Sequence, residues 1–305
     1  SALLPDLENA SKVCPFSDES VDEDQLSREL FASAGTHDSR LGFSLAIYAA
    51  RVLQGEDISL SSSGGLTSWL TLKLLESGAV DGLIHVAAGQ NSDGHPLFEY
   101  VLSTTLEELR ERRKSQYYST SLAEVALHIR GDGKKYALVG VPCFIKAARL
   151  LAREDEAFKT QLTICIGLVC GHLKSSGFAE LLAWQVGIPP SELSAVDFRV
   201  KEPGKTAGDY AFGAKRRGNA ERRNILHLQP GVGDELFRLG RHLGQDVFRI
   251  GVDVLDARLA ENPPRAGVKI AVRTGNTAGQ DETPRWRPAV NQSPDRVPDF
   301  RNILP

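Results

Sequence analysis

The chain reads as an α/β protein: a mainly parallel sheet built from two alternating strand-helix blocks, with an irregular C-terminal tail. Three observations predict it. Short, near-continuous apolar runs alternate with segments of helical period, the pattern of strands buried on both faces and of the helices that cover them. Glycine and proline stand between these segments, where elements must stop. Proline then crowds the end, and nearly half of the 15 prolines fall in residues 261–305.

Residues 1–40 are polar and acidic, with Asp22-Glu23-Asp24 leading into a short helix over Gln25–Phe31 that Gly35 ends. The first block, residues 41–130, opens on a strand at Leu45–Val52. The small-residue turn Ser61-Ser62-Ser63-Gly64-Gly65-Leu66-Thr67-Ser68 follows. From Thr67, the apolar residues Trp69, Leu70, Leu72, Leu74 and Leu75 mark a helix that stops at Gly78, and Val80–Ala87 is the next strand. A strand-turn-helix-strand unit of this kind favours parallel pairing of its two strands. A charged helix over Leu106–Lys114, the stretch Ser115-Gln116-Tyr117-Tyr118-Ser119 and a helix over Leu122–Arg130 complete the block.

The second block, residues 131–225, starts at the Gly131-Asp132-Gly133 turn. Its first strand, Tyr136–Val141, is stopped by Pro142, which has no ladder donor and restricts the residue before it. Helix Ile145–Arg153, strand Leu162–Val169 and helix Phe178–Val186 follow. In such sheets ligands bind beyond the C-terminal ends of the strands. Residues 226–305 hold one expected strand, Val268–Arg273, and are otherwise expected to be irregular.

Composition excludes several classes. With 305 residues, 41% hydrophobic and 25% charged, the chain has apolar content for real cores and is neither fibrous nor disordered. A net charge of -3 gives no global basic surface, so nucleic acid is not the expected partner. No apolar run is long enough for a membrane span and the start lacks the basic and apolar regions of a signal peptide, which predicts a cytoplasmic location. No methionine occurs at any position, including the first, so a processed chain or a fragment of a longer one is expected.

The candidate chemistry lies in three places. In the turn Ser63-Gly64-Gly65 with Thr67 and Ser68, glycines permit close backbone approach and the helix start presents unpaired N–H groups, which suits a phosphate; an ordinary N-cap explains the same residues. Cys143 follows one strand and Cys170 ends another, with His172 two residues on, so two thiols at the tips of neighbouring parallel strands could share one iron-sulfur cluster. Cys165 lies mid-strand, where a core role competes with ligation, and Cys14 in Val13-Cys14-Pro15 resembles the last Cys-Pro of a ferredoxin-like run. Four cysteines are too few for a disulfide scaffold. Lys114-Ser115-Gln116-Tyr117 and Arg199-Val200-Lys201 supply cations and aromatics suited to a flavin or a carboxylated substrate, though a helix end and an exposed loop account for them equally well. Lys215-Arg216-Arg217 with Arg222-Arg223 reads as a solvated face.

The order of these motifs resembles the beta subunit of coenzyme F420 hydrogenase/dehydrogenase, a family that takes in the 7-hydroxymethyl chlorophyll a reductase and ferredoxin-type divinyl chlorophyllide reductase relatives. The resemblance runs from Ser62-Gly64-Gly65-Thr67-Ser68 through Lys114–Tyr118, Gly140-Val141-Pro142-Cys143 and Gly167–His172 to Asp197–Lys201, about two-thirds of the chain. It implies an iron-sulfur flavoprotein oxidoreductase with FAD and a 4Fe-4S cluster, passing electrons between a ferredoxin-like electron donor or partner redox subunit and an organic hydride acceptor such as a deazaflavin coenzyme or a tetrapyrrole-like ring. By matching position it assigns Ser63, Gly64, Gly65, Thr67 and Ser68 to the flavin phosphate loop, Lys114, Ser115, Gln116 and Tyr117 to the flavin surroundings, and Cys143 and Cys170 to the cluster. His172 or solvent is the expected proton source, while a hydrogen-bonded surface histidine accounts for the same residue. The Cys-x-x-Cys-Asp and Gly-Asp-Ala-Trp segments of the family do not follow Arg199, so four protein ligands from this chain would require Cys14 and Cys165 as well. The same loss favours an alternative, a non-catalytic electron-transfer or assembly subunit that keeps the cofactor-binding fold.

Overall fold

The computed structural model describes residues 7–33, 36–39, 42–44, 49–52, 60–89, 96–168, 173–205, 210–227, 250–254 and 270–273. Helices α1 (Leu7–Val13) and α2 (Glu23–Phe31) lead. Asp22 starts α2 by accepting from the Gln25 amide at 2.7 Å, and Glu23 and Asp24 lie in its positive first turn. Strands β1 (Thr36–Asp38) and β2 (Gly42–Ser44) pair antiparallel, and β3 (Ala49–Val52) precedes α3 (Leu66–Glu76). The central layer follows: β4 (Gly82–Ala88), β5 (Phe98–Ser103), α4 (Leu106–Glu111), α5 (Ala123–Ile129), β6 (Tyr136–Gly140), α6 (Pro142–Glu154), α7 (Glu156–Gln161) and β7 (Leu162–Leu168). A smaller layer comprises α8 (Ser176–Gln185), β8 (Leu193–Val200), β9 (Ala211–Arg216) and β10 (Asn219–His227), and β11 (Ile250–Val254) and β12 (Ile270–Arg273) come last. Among the described residues, no helix is long and apolar enough to cross a membrane.

The central sheet has the order β11-β7-β6-β4-β5. Its middle three strands are parallel, with Leu83 opposite Ala137 and Leu138 opposite Cys165, and an antiparallel strand closes each edge. Successive residues point to opposite faces, and both faces are covered. On one, Leu83, Ala137, Val139, Ile164 and Ile166 pack under α3 and α4 through Leu72, Leu74 and Leu109. On the other, Ile84, Leu138 and Cys165 meet Ile129, Ala148 and Phe158 from α5, α6 and α7. This double cover is why the strands read as continuous apolar runs. Truncating a fully buried residue such as Leu138 or Ile164 to Ala should cost about 2–5 kcal/mol.

The Gly131-Asp132-Gly133 turn is closed by Gln161 at the end of α7. Its side chain accepts from the Gly131 amide at 2.7 Å and donates to the Ile129 carbonyl at 2.6 Å, while both Gln161 and the Tyr136 hydroxyl donate to the Asp132 carboxylate. The Tyr136 hydrogen bond holds that carboxyl below the usual range.

Three expectations change. The strand before the serine-glycine turn does not pair with β4, because β5 and β6 occupy both edges of β4; β3 pairs antiparallel with β12 instead. Pro142 does more than end a strand: it takes the first helical position of α6, where a missing N–H costs nothing, so Cys143 stands in a helix's first turn rather than at a strand tip. Arg199-Val200, for which an exposed loop competed, and Lys215-Arg216 with Arg222-Arg223, read as a solvated face, belong to an antiparallel sheet of order β10-β9-β8. Arg216 pairs with Asn219, leaving the two-residue turn Arg217-Gly218, and Gly218 has the positive φ (75°) such hairpins require. In the tail, β12 falls within the expected strand at 268–273, and β11 adds an unexpected one beside β7. The rest of the tail beyond His227 lies outside the described residues.

Candidate functional site

Helix α3 runs into β4 after a short turn, so its other end, the N-terminus, lies toward the C-terminal edge of the parallel strands. Gly65 is its N-cap, with φ 77°, a conformation that disfavours any residue with a Cβ. The Trp69 amide donates to the Gly65 carbonyl at 2.9 Å, and no side chain caps the first turn. The loop is anchored behind by the Val52 amide on the Gly64 carbonyl at 3.0 Å. Ser61 and Ser62 are buried, Ser63 and Thr67 half-buried, and Ser68 Oγ accepts from Ser61 Oγ at 3.4 Å. The result is a helix start with bare N–H donors facing a small-residue loop.

The fold brings two distant stretches to this loop. The Ser115 amide donates to Ser62 Oγ at 2.8 Å, and Lys201 Nζ donates to the Ser63 carbonyl at 3.0 Å. Lys114 Nζ lies 3.3 Å from Asp197 and 3.5 Å from the Arg199 carbonyl, and Arg223 lies 3.6 Å from the same Asp197 carboxylate. Arg199 is buried at 4% exposure with its guanidinium 4.6 Å over the Tyr210 ring. One carboxylate, Asp197, is thus shared by two of these cations. Burial, then the neighbouring charges of Lys114 and Arg199, pull the Lys201 ammonium below the ordinary lysine range. A bound anion would relieve that repulsion.

Gln116 and Trp69 add polar groups of opposite sense. Gln116 Oε1 and Trp69 Nε1 are buried with no hydrogen-bond partner among the described residues, one an acceptor and the other a donor. Each such group costs about 1–3 kcal/mol unless something answers it. Tyr117 stands edge-on to Phe198 at 5.4 Å and packs against the aromatic core of the smaller layer. A pyrophosphate-bearing flavin fits this donor set: a bare helix N-terminus, two lysines and an arginine, with an unanswered donor and acceptor beside them.

The thiols are arranged differently. Gly140 of β6 lies opposite Gly167 of β7, so the chain leaves the two strands side by side, as the sequence predicts. Cys143 is half-buried beside an apolar wall in which the Tyr100 ring sits 5.0 Å from Phe144. Burial, and then the negative charge available to Cys143, push the Tyr100 hydroxyl above its usual pKa. Cys165 is fully buried in the core between the sheet and α5–α7, and Cys14, just past α1, is exposed. Cys170 and His172 lie outside the described residues. Among the described residues no three His, Cys, Asp or Glu side chains come together, so these residues do not by themselves supply a ligand set for a 4Fe-4S cluster. Cys165 is a core residue because its strand position points it between Leu138 and the covering helices.

Sequence reasoning missed Tyr210, Trp69 and the pairing of Arg223 with Asp197. The packing of the β8–β10 sheet reveals Tyr210 and Arg223, and the burial of the indole N–H on α3 reveals Trp69.

The fold is that of a mixed α/β protein, and the candidate site lies at the C-terminal edge of its parallel strands. The family described as Coenzyme F420 hydrogenase/dehydrogenase, beta subunit, matches by its N-terminal part over residues 47–127 and by its C-terminal part over residues 133–227. Those matches span more than half of the chain, and it belongs to this family, one of hydrogenase and dehydrogenase subunits and hence of oxidoreductases. A subunit of the F(420)H(2) dehydrogenase of Methanosarcina mazei is 25% identical over 160 residues, 52% of this chain and 39% of that protein. The chain therefore spans well under half the length of this curated relative. A chain in the solved F420-reducing NiFe hydrogenase complex from Methanosarcina barkeri is similar with a TM-score of 0.46 and 18% identity over 64% of each chain.

Proposed function

We propose that this chain is an FAD-binding oxidoreductase subunit that passes electrons between a ferredoxin-like donor or partner redox subunit and an organic hydride acceptor, a deazaflavin coenzyme or a tetrapyrrole-like ring. The observation that carries it is the convergence of Ser62, Ser63, Ser115 and Lys201 at the uncapped start of α3. In this reading the first-turn amides of α3, with Thr67 and Ser68, hold the pyrophosphate, and Gly64 and Gly65 allow its approach. Lys201 and Lys114 neutralise it, and Arg199 on Tyr210 keeps the surrounding potential positive. Gln116 and Trp69 offer an acceptor and a donor to polar edges of the ligand. FAD, when bound, supplies hydride transfer to a ring and single-electron exchange with an iron-sulfur centre. His172 or solvent delivers the accompanying proton. Cys143, in the first turn of α6, and Cys170, two residues past β7 in the sequence, are the thiols proposed to face that centre, with Cys14 as a further candidate.

A second reading, an electron-transfer or assembly subunit without its own substrate chemistry, is favoured by the missing Cys-x-x-Cys-Asp segment after Arg199. Anaerobic purification followed by FAD titration and by iron and acid-labile sulfide assays tests both. Stoichiometric FAD with hydride transfer to a deazaflavin supports the first, and FAD without transfer to any ring acceptor supports the second. A folded protein that neither retains nor binds FAD overturns both.

A further inference from the structure

Ser103 is fully buried on β5, opposite Leu83 of β4 and diagonal to His85 on the same face. Arg112, which ends α4, donates to Ser103 Oγ at 3.0 Å, reaches the Leu102 carbonyl at 3.5 Å and faces Glu108 at 3.6 Å. A guanidinium can only donate, so Ser103 Oγ accepts from Arg112, and the same oxygen lies 2.9 Å from His85 Nε2, as donor or acceptor according to the ring's tautomer. Burial, and next the charge of Arg112, hold the ring pKa down to about 4, so the ring in this chain of hydrogen bonds is neutral at neutral pH. Nothing in the electron-transfer reading uses these three residues. Stability alone would be served by apolar side chains, since this face of the sheet is lined by Leu83 and Leu109.

The segment beyond Arg112 explains them. Residues 113–117 belong to no helix or strand, so their position depends on what holds each end. Two residues past Arg112, Lys114 meets Asp197; one further, the Ser115 amide meets Ser62 Oγ; next comes Gln116 with its buried unanswered oxygen. Arg112 is the upstream anchor of this segment. We propose that His85 and Ser103 are positioning residues for the ligand site, acting through Arg112 to hold residues 114–116 against the serine-glycine loop. The inference rests on the flavin reading of that loop, but the segment's order can be measured without flavin.

The test compares His85→Leu and Ser103→Ala, which break the relay, with His85→Gln, which keeps a hydrogen-bond partner for the serine hydroxyl. Amide hydrogen exchange of the full chain without flavin reads the Ser115 amide against the core amides of Leu138 and Ile164, and FAD titration of the same proteins reads affinity. The breaking variants should speed Ser115 exchange and weaken FAD each by about tenfold, leave the core amides unchanged, and be rescued by His85→Gln. Wild-type Ser115 exchange and FAD affinity in both breaking variants overturn the relay and leave the flavin reading standing. Proportionate acceleration of the core amides also overturns it, as a purely structural role. Local acceleration at Ser115 in a chain whose wild type binds no FAD supports the relay and overturns the flavin reading alone.

Discussion

Helices α3 and α6 both start at the C-terminal edge of the same sheet, yet they present opposite chemistry. The start of α3 is a left-handed glycine with no side-chain cap, backed by buried serines and approached by Lys114, Arg199 and Lys201. The start of α6 has Pro142 at its first position, no side-chain cap, and an apolar surround in which Tyr100 packs on Phe144 beside Cys143. Both ends carry the positive pole of a helix. The neighbourhoods differ: excess cation and bare donors suit a hard phosphate, whereas an apolar wall beside a thiol suits soft ligation. The helix start supplies a pole, and its surroundings select the ligand.

The largest expected effect sits on the α3 side. Gly65→Val forces a β-branched residue into the left-handed region and fills the approach to the helix start, so FAD affinity should fall by about a hundredfold or more. Pro142→Ala on the α6 side should cost under about 1 kcal/mol and leave FAD binding intact. Equal FAD stoichiometry in a folded Gly65→Val protein would break the comparison. Next, Lys201→Met removes a cation that touches the loop and should weaken FAD by about ten- to fiftyfold, more at low salt than at high salt. Titration at two ionic strengths checks it, and a salt-independent loss would mean that packing rather than charge is at work.

The thiols sharpen the α6 side. Cys165→Ser buries a hydroxyl in the core and should destabilise the fold by about 2 kcal/mol in denaturant titration without changing iron content. Cys143→Ser should do the reverse, lowering iron and acid-labile sulfide with little change in stability. Iron equal in both variants removes the contrast between a core thiol and a ligand thiol. The smallest effect is a pH dependence. His85 is held neutral with a pKa of about 4 against 6.5 when unfolded, so the unfolded chain takes up the proton first. Stability present above pH 6.5 is therefore lost as pH falls from 6.5 towards 4, by about 1–2 kcal/mol once the ring's partial exposure is discounted. His85→Gln should flatten that part of the melting-temperature profile, and an unchanged slope would assign it to carboxylates such as Asp132 or Glu108.

Local sequence determined much of this protein. The near-continuous apolar runs of β4, β6 and β7 announce strands covered on both faces, and the serine-glycine turn announces the start of α3, while of the two roles Cys165's mid-strand place left open, burial decides for the core. The runs and the turn each depend on a few adjacent residues and on backbone geometry, so each is legible without the rest of the chain. Tertiary structure decided the partners. β3 reads as the first strand of a crossover unit, but a strand has only two edges and those of β4 are taken, so β3 pairs with β12. The polar, charge-broken strands β8–β10 carry no clean alternation, because bulges between Leu193 and Ala195, Asp197 and Val200, and Asn219 and Arg223 shift the period-2 register. The site itself needs residues 53 and 138 positions apart to meet at Ser62 and Ser63. Periodicity records how deeply a segment is buried; which edges pair and which charges converge is settled by competition among segments far apart in the chain.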